Sequence, residues 1–399
     1  MKIPFPLFDA MAPALFDVFM GGRPVDRVVE NNFKNHRQWG SRDRRLFAEV
    51  VFDVTRFVRL FAKQAGFSFD PHLGTANLKI EDFKSILAVY FAEKWPEIKT
   101  PFSLSETRIS NPMTEAERLS YSDWLYQLGQ KEMGQNWPAL AESLNRIPDV
   151  YLRTNSLVTN RKSLQKKLAD LNVQAEVLNS SEVALRLLER KNLFQSEIFK
   201  QGWFEVQDIS SQRVAELLDP QPGERVVDAC AGAGGKSLHL ACLMQNQGRV
   251  LSMDIHSRKL EELKTRARRN KISIIETREI TSTKVIKRLE ETADAVLLDV
   301  PCSGSGVIGR NPDTKYRLNQ ESFDELQKKQ EEILRVYSRM VKPGGRLVYA
   351  TCSIFPSENE KQITAWQKNN PKWKLEEQKT LIPGRDEGDG FFMAKFTRL

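Results

Sequence analysis

Cysteine is scarce in this chain, which has only four among its 399 residues. The four are Cys230, Cys242, Cys302 and Cys352. No two of them have the Cys-x-x-Cys spacing of a zinc site, and four cysteines in so long a chain do not make a disulfide framework. We therefore predict reduced thiols, as in the cytoplasm, and no bound metal ion.

The chain also lacks a long uncharged apolar run. No such run approaches the roughly 20 residues that a membrane-spanning helix needs. The apolar segment 1–22 is interrupted by Asp9 and Asp17 and lacks a cationic n-region. It is therefore predicted to be a packed amphipathic segment rather than a signal peptide. These absences favour a cytoplasmic protein without a membrane partner.

Acidic residues do not balance the basic ones. Lys and Arg number 60 against 52 Asp and Glu, which gives a net charge of +8. A basic balance suits a polyanionic partner such as nucleic acid, but a basic protein without such a partner has the same composition. The length predicts two or three domains, because one hydrophobic core rarely serves so long a chain.

Residues 1–145 are predicted to form an all-α domain. The clearest helix follows Gly40, with Ser41 as its predicted N-cap. Its apolar face, with three- and four-residue steps, consists of Phe47, Val50, Val51, Val54, Phe57 and Phe61. Its opposite face is basic and carries Arg42, Arg44, Arg45 and Arg56. Local sequence alone allows either a packing domain or an RNA-binding domain.

Residues 146–201 are predicted to form a small α+β subdomain. A strand in PDVYLRTNSL, a basic helix in NRKSLQKKLADL and a strand in VQAEVL follow one another there. This order indicates a βαβ-like unit. Its basic side chains suit either a nucleic-acid platform or a solvated face.

Residues 202–399 alternate between strands and helices. The predicted strands are RVVDAC, RVLSMDI, ISIIETREI, AVLLDVP, RLVYATCS and FFMAKFTRL. The long helix ESFDELQKKQEEILRVYSRMV is predicted to begin with a Ser322–Glu325 capping box and to end before Pro343. Such alternation predicts an α/β domain with a Rossmann-like, doubly wound parallel sheet.

A glycine-rich turn follows the first of these strands, from Asp228 to Ser237. It resembles two phosphate-binding motifs but fails each at one position. A P-loop needs glycine at Cys230, and a dinucleotide fingerprint needs glycine at Ser237. The hypothesis of an ATP-dependent enzyme therefore rests only on Gly235, Lys236 and Ser237, and it is the weaker alternative.

A strand that ends in an acid and continues through a glycine turn into a helix suits a nucleoside with a carboxylate tail, such as S-adenosylmethionine. Glycines let the backbone approach the ligand, and the helix N-terminus can meet its carboxylate. Asp254 ends the next strand and can accept hydrogen bonds from ribose hydroxyls. The turn alone would also fit simple helix–strand packing. With Asp228 and Asp254 at consecutive strand ends, we predict a ligand site.

Two cysteines end two further strands, in the contexts DVPCS at Cys302 and YATCS at Cys352. Ligands bind at the carboxyl ends of parallel strands, so both thiols are predicted to lie at the edge that carries the glycine turn. A single cysteine there would be interpreted as a small buried apolar side chain. Two thiols at one edge indicate covalent catalysis by a thiolate.

Methyl transfer to carbon 5 of a pyrimidine would use this pair. A thiolate that adds to carbon 6 makes carbon 5 nucleophilic, and afterwards the carbon 5 proton must leave and the thiol must be expelled. Asp299 could hydrogen-bond the base, and Lys236 could stabilise charge that develops on the ring. This chemistry does not decide which thiol attacks.

At these motifs the sequence resembles the Sun/Fmu-like family of RNA cytosine-5 methyltransferases. The motifs are VQDISSQ (206–212), CAGAGGK (230–236), Asp254, DVPCSGSGVIGRNPD (299–313), YATCSIFPSENE (349–360) and DGFFMAKF (389–396). More loosely, NNFKNHRQWGSRDRRLFAEVV resembles the helical NusB-type RNA-binding domain of bacterial members. The resemblance implies methyl transfer from S-adenosylmethionine to carbon 5 of a cytosine in RNA, with ribosomal RNA favoured over transfer RNA.

The resemblance also implies residue roles. Cys352 would be the nucleophile, and Cys302 would assist elimination and product release. Asp299 and Lys236 would contact the target cytosine beside the cofactor. The cofactor-binding residues would be Cys230, Ala231, Gly232, Ala233, Gly234, Gly235, Lys236, Asp254 and Asp299.

Two segments depart from the family pattern. Gly232-Ala233 stands where the family often has Ala-Pro, and the third strand offers Glu279, Ile280 and Thr281 where an acid near Asp-Gly is usual. The adenine-side contact is therefore left unassigned. We expect a monomer. The alternative function is a non-catalytic RNA-binding or ribosome-assembly factor on a methyltransferase scaffold, against which the intact thiol pair argues.

Overall fold

The computed structural model describes residues 5–70, 78–102 and 112–399. The helices are α1 (Phe5–Phe19), α2 (Val25–Asn35), α3 (Ser41–Arg56), α4 (Val58–Gln64), α5 (Ile80–Lys94), α6 (Glu115–Arg118), α7 (Asp123–Met133), α8 (Trp137–Leu144), α9 (Arg161–Asp170), α10 (Glu197–Lys200), α11 (Ile209–Leu218), α12 (Gly235–Leu243), α13 (Ser257–Arg269), α14 (Thr283–Lys287), α15 (Thr314–Arg317), α16 (Gln320–Tyr337) and α17 (Glu360–Lys368). The strands are β1 (Val150–Thr154), β2 (Ala175–Val177), β3 (Ala184–Leu187), β4 (Phe204–Val206), β5 (Arg225–Asp228), β6 (Arg249–Asp254), β7 (Ile275–Glu279), β8 (Ala293–Asp299), β9 (Val341–Thr351), β10 (Trp373–Leu381) and β11 (Phe391–Arg398). Within the described residues, none of the helices combines the length and the apolar character that crossing a bilayer requires.

The chain divides into two compact units. One comprises Met1–Ile147 with Val307–Phe323, and the other comprises Pro148–Gly306 with Asp324–Leu399. The segment Val307–Phe323 therefore packs with the helical unit, although from sequence it fell within 202–399. Its anchor is the buried Lys315, whose ammonium group donates to the carbonyl of Arg56 at 2.6 Å.

The first unit is all-α over its described residues, as predicted. Helix α3 buries the apolar face expected of it, with Phe47, Val50, Val51 and Val54 fully inaccessible to solvent. Helix α1 packs against α3 and α5 and buries Met11 completely. The apolar N-terminal segment is therefore a packed amphipathic helix from Phe5 onward, while residues 1–4 lie outside the described residues.

Three local predictions in this unit are wrong. The long helix breaks at Phe57, whose backbone leaves the helical conformation (φ −122°, ψ 28°), and it becomes α3 and α4. The N-cap of α3 is Gly40, which has no side-chain hydrogen bond, and Ser41 is already helical. Arg56 is buried rather than on a basic face, because its guanidinium donates to Asp53 Oδ1 at 2.8 Å.

A four-stranded sheet begins the second unit, with the strand order β2-β3-β1-β4 and antiparallel neighbours. The predicted βαβ-like unit is present as β1, α9 and β2, but β3 lies between the two parallel strands. The sheet also extends past residue 201, because β4 (Phe204–Val206) pairs with β1. Its core is apolar, and Leu152, Leu164, Leu185 and Phe204 are fully buried.

The larger sheet has seven strands in the order β10-β11-β9-β8-β5-β6-β7. The five adjacent strands β9, β8, β5, β6 and β7 are parallel to one another, which confirms the predicted Rossmann-like sheet. Strand β11 is antiparallel to both β9 and β10. Sequence patterns missed β10 because it is an edge strand: most of its side chains are exposed, so WKLEEQKTL has little apolar character.

The long helix α16 is capped one turn earlier than predicted. Asn319 Oδ1 accepts a hydrogen bond from the Ser322 amide at 2.8 Å, and Ser322 Oγ accepts one from the Asn319 amide at 3.1 Å. The reciprocal pair is therefore Asn319–Ser322, not Ser322–Glu325. The helix ends at Tyr337, and Pro343 falls within β9.

The strand order reverses between β5 and β8. From β5 the chain continues to β6 and β7 on one side, and then returns to β8 and β9 on the other. In an open α/β sheet, a crevice forms at such a switch point, outside the carboxyl ends of the strands. This is the edge to which the sequence assigns both the glycine turn and the two thiols.

Candidate active site at the carboxyl edge of the sheet

The glycine turn after β5 uses backbone conformations that favour glycine. Gly232 and Gly234 have φ values of +53° and +85°. A Cβ on Gly234 would lie 2.3 Å from Leu263 Cγ, so α13 also requires a glycine there for packing. A Cβ on Gly232 would meet nothing within 4 Å. The turn is therefore closed toward α13 and open on its other side.

Asp254 at the end of β6 supports this turn. Its Oδ2 accepts a hydrogen bond from the Gly232 amide and its Oδ1 accepts one from the His256 amide, each at 2.8 Å. Each carboxylate oxygen can accept a second hydrogen bond. Asp254 thus fixes the turn and keeps acceptor capacity for a ligand's hydroxyl groups.

Asp228 is completely buried below the turn. Its Oδ2 accepts a hydrogen bond from Ser237 Oγ at 2.6 Å, whereas its Oδ1 has no hydrogen-bond partner in the part of the chain that the structure describes. Burial raises the pKa of Asp228 to about 7, although the hydrogen bond from the Ser237 hydroxyl acts in the opposite direction and lowers it. An acid of this kind is protonated more readily than usual and can donate as well as accept.

We expect Asp228→Asn to change how stability depends on pH. The folded protein keeps the Asp228 proton up to about pH 7, whereas an ordinary aspartate loses it near 3.8, so the wild type loses stability as pH rises between these values. Between pH 5 and pH 8 it should lose about 3 kcal/mol relative to the variant. Urea unfolding without cofactor measures this difference, with Glu261→Gln as the exposed control. Parallel pH profiles for wild type and Asp228→Asn would contradict the expectation.

The two predicted catalytic thiols lie side by side. Cys302 Sγ and Cys352 Sγ are 3.4 Å apart, which is hydrogen-bond distance for sulfur, and both cysteines are free. Strands β8 and β9 pair in parallel with Asp299 opposite Ala350, so their loops leave the sheet together. The hydrogen bond with Cys352 and burial raise the pKa of Cys302 well above its ordinary value. Cys302 is therefore held in its thiol form.

Lys236 and Asp299 form a half-buried ion pair beside the thiols. Lys236 Nζ donates to Asp299 Oδ2 at 2.7 Å and lies 5.2 Å from the centre of the Phe391 ring. Burial lowers the pKa of Lys236, but Asp299 outweighs it and raises that pKa overall. Lys236 is thus a fixed cation directed at the end of β8, which disfavours the phosphate-binding role that a P-loop would give it.

A buried polar network joins the two cysteine loops, and no role for its residues is predicted from sequence. Glu358 accepts hydrogen bonds from the Ser303 amide at 2.8 Å and from the hydroxyl groups of Ser303 and Ser353. Gln330 on α16 donates to Glu358 at 2.9 Å. The motif YATCSIFPSENE contains Glu358, but its contact with the loop of Cys302 depends on the fold and is not visible in sequence.

All the predicted site residues thus lie at one edge of one sheet, at the ends of β5, β6, β8 and β9. Glu279 ends β7, where it is exposed, and it remains without an assigned contact. Among the described residues, no group of three or more His, Cys, Asp or Glu side chains could hold a metal ion.

The residues at this edge fit S-adenosylmethionine on three observations. The turn is open at Gly232, Asp254 retains acceptor capacity, and Asp228 Oδ1 is a buried polar atom without a partner among the described residues. Helix α12 is capped by Gly234 without a side-chain hydrogen bond, so no capping side chain competes for its first amide groups. A Rossmann-like sheet with this turn and these acids defines an S-adenosylmethionine-dependent methyltransferase.

Comparison with known proteins identifies the family. The model of a family described as 16S rRNA methyltransferase RsmB/F matches residues 215–397, and a model described as the ferredoxin-like domain of RsmF/B-like methyltransferases matches residues 121–193. Probable ribosomal RNA small subunit methyltransferase B of Synechocystis is 34% identical over 301 residues, which are 71% of this chain and 68% of the relative. Ribosomal RNA small subunit methyltransferase B of Citrobacter koseri is 33% identical over 300 residues, 73% of this chain and 70% of the relative.

Solved structures agree with this match. The crystal structure of PH0851 covers 99% of this chain and 99% of its own, with a TM-score of 0.80 and 28% identity. A methyltransferase homolog from Pyrococcus horikoshii covers 71% of this chain and 98% of its own, with a TM-score of 0.64 and 27% identity. The chain therefore belongs to the RsmB/F family of 16S rRNA methyltransferases, and the resemblance seen in its motifs is confirmed.

Proposed function

We propose that the protein transfers a methyl group from S-adenosylmethionine to carbon 5 of a cytosine in RNA, through a covalent bond between a cysteine and carbon 6. The observation that carries this proposal is the thiol pair, with Cys302 Sγ and Cys352 Sγ 3.4 Å apart at the ends of adjacent strands. A methyltransferase that acts on nitrogen or oxygen needs no thiol, because those atoms already carry a lone pair. Carbon 5 needs one, because it is nucleophilic only after addition at carbon 6.

Cys352 is the proposed nucleophile. After its proton has passed to water, its Sγ forms a bond to carbon 6, and the π electron pair between carbons 5 and 6 moves to carbon 5. Residues 230–236 and Asp254 would hold S-adenosylmethionine, which supplies an electrophilic methyl group when bound. Asp299 hydrogen-bonds the base, and Lys236 offsets negative charge on the ring. The raised pKa of Cys302 supports the choice of Cys352 as the nucleophile. Because Cys302 keeps its proton, its thiol can donate a hydrogen bond to the sulfur of Cys352.

Cys302 is proposed to act in the elimination step. The proton on carbon 5 must leave, the double bond between carbons 5 and 6 must form again, and the bond from carbon 6 to Cys352 Sγ must break. The largest cause of the raised pKa of Cys302 is its hydrogen bond with Cys352. Once Cys352 Sγ is bonded to carbon 6, that cause is removed, so Cys302 loses its proton to water more readily and its thiolate can then take the carbon 5 proton.

The proposed substrate is 16S ribosomal RNA. The matched family description names 16S rRNA, and the relatives are named as methyltransferases of small-subunit ribosomal RNA. The net charge of +8 supports a polyanionic partner. We further propose that the helical region 1–145, which resembles NusB-type domains, and the subdomain 146–201 contact RNA, while 202–399 carries the chemistry. The target base must be accessible outside a stacked helix to admit Cys352.

RNA that contains 5-fluorocytidine should trap the wild-type protein. Fluorine at carbon 5 cannot leave as a proton does, so elimination is blocked after methyl transfer and Cys352 stays bonded to carbon 6. We expect a band of protein joined to RNA on a denaturing gel, dependent on S-adenosylmethionine, and a peptide containing Cys352 attached to the base by mass spectrometry.

The control is RNA of the same sequence with cytidine, which should give little of this band. Attachment through Cys302 would reverse the assigned roles of the thiols. Absence of any adduct on a fluorinated RNA whose unmodified form is methylated would overturn the covalent mechanism and leave methyl transfer to another atom.

A further inference from the structure

Two arginines donate hydrogen bonds to backbone carbonyls of the glycine turn. Arg266 on α13 donates through Nη1 to the carbonyl of Ala233 at 2.8 Å, and Arg153 on β1 donates through Nη1 to the carbonyl of Gly235 at 2.8 Å. The carbonyl of one residue and the amide of the next belong to the same planar peptide unit, so fixing these two carbonyls also fixes the amides of Gly234 and Lys236. The Gly234 amide closes the turn by donating to the carbonyl of Ala231 at 2.9 Å. The arginines therefore act on the backbone that would meet the cofactor, without reaching it themselves.

Both arginines connect the turn to the small four-stranded sheet: one lies in the sheet, and the other forms an ion pair with it. Arg153 lies in β1, is fully buried, and also donates to the side chain of Gln207 just after β4. Arg266 donates through Nη2 to Glu205 Oε2 at 2.9 Å, and Glu205 lies in β4 with 3% of its surface exposed. Burial raises the pKa of Glu205, but Arg266 and then Arg269 outweigh it and lower that pKa overall. Glu205 is thus an anion that holds Arg266 in place.

We propose that the four-stranded sheet positions the cofactor turn, with Arg266 as the positioning residue that links Glu205 of β4 to the carbonyl of Ala233. In this assignment the subdomain 146–201, extended by β4, is part of the cofactor site's support as well as a surface for RNA. The inference rests on the proposed assignment of residues 230–236 to S-adenosylmethionine.

The chain contains a matched control for Arg266. Arg269 lies one turn further along α13 and also pairs with Glu205, and its side chain is 21% exposed against 19% for Arg266. Arg269 additionally lies 4.0 Å from the centre of the Phe199 ring. Only Arg266 of the two donates to the turn. Loss of either arginine weakens the Glu205 ion pair, so a difference between the variants reports the contact with Ala233.

The experiment is calorimetric titration of the full-length protein with S-adenosylmethionine, beside steady-state methylation of RNA. Arg266→Ala should raise the dissociation constant about tenfold, and Arg269→Ala less than about twofold, since a charge-assisted hydrogen bond to a carbonyl is lost only in the first. KM for S-adenosylmethionine should rise in parallel, with kcat at saturating cofactor unchanged. Arg266→Lys should rescue part of the loss, because one ammonium group can serve one of the two acceptors.

Asp254→Ala separates failure of this inference from failure of the cofactor site. If Asp254→Ala abolishes binding while Arg266→Ala and Arg269→Ala bind alike, the positioning role is overturned and the cofactor site stands. If Asp254→Ala binds like the wild type, the cofactor site falls and the inference falls with it. Should Arg266→Ala not fold, Arg266→Lys decides: a dissociation constant raised about threefold supports the role, and an unchanged one overturns it.

Discussion

Cys302→Ala is expected to remain joined to its RNA after methyl transfer. Cys352 can still add to carbon 6, but the side chain proposed to take the carbon 5 proton is gone, so the covalent species accumulates. On a denaturing gel, most of the protein should move with RNA when unmodified substrate and S-adenosylmethionine are both present. Nuclease digestion followed by mass spectrometry should recover a methylated cytosine on the peptide that contains Cys352.

Two controls make this result specific to elimination. Cys242→Ala removes another free cysteine, on α12 and outside the residues assigned to the cofactor, and should give no retained complex. The double variant Cys302→Ala/Cys352→Ala should also give none, because it lacks the nucleophile. A Cys302→Ala protein that turns over at the wild-type rate without a retained complex would show that another group removes the proton.

Cys352→Ala is expected to abolish methyl transfer. Without addition at carbon 6, carbon 5 of cytosine is too weak a nucleophile to take the methyl group, so the rate should fall by at least about 10³-fold. Incorporation of labelled methyl groups into RNA in single-turnover reactions, under reducing conditions, measures the loss. Cys352→Ser should be nearly as inactive, because a serine hydroxyl is far less readily ionised than a thiol.

The fold and the cofactor site should survive this substitution. Cys352→Ala should bind S-adenosylmethionine with an affinity close to that of the wild type, since the thiols lie at the ends of β8 and β9 and the turn follows β5. The variant should also leave no covalent complex on 5-fluorocytidine RNA. Methyl transfer at a wild-type rate would reject Cys352 as the nucleophile.

Much of this architecture can be predicted from local sequence patterns. The strands that end at Asp228, Asp254 and Asp299 are apolar and buried, so their sequences mark both the strand and the point where it ends. Parallel strands bring their carboxyl ends to one edge, which is why residues as distant as Lys236 and Cys352 could be assigned to one site. The exposed edge strand β10 has no such pattern and was missed.

Contacts between distant segments were not predictable from sequence. Glu358 links the loops of Cys302 and Cys352, and Arg266 links Glu205 to the glycine turn, through hydrogen bonds between residues far apart in the chain. Their local sequences resemble an ordinary loop and an ordinary basic helix. The burial of Arg56 follows the same principle, because its guanidinium donates to the carbonyl of Gly309, which is 253 residues away in the chain.

The most direct test of the account is the identity of the methylated nucleoside. The protein would be incubated with S-adenosylmethionine labelled in its methyl group and with unmodified 16S ribosomal RNA, both free and in partly assembled particles, and the RNA would be digested and chromatographed. The account predicts label in 5-methylcytidine, lost in Cys352→Ala. Label in any other nucleoside would contradict the covalent cysteine mechanism, and cofactor binding without label in either substrate would favour a non-catalytic role in ribosome assembly.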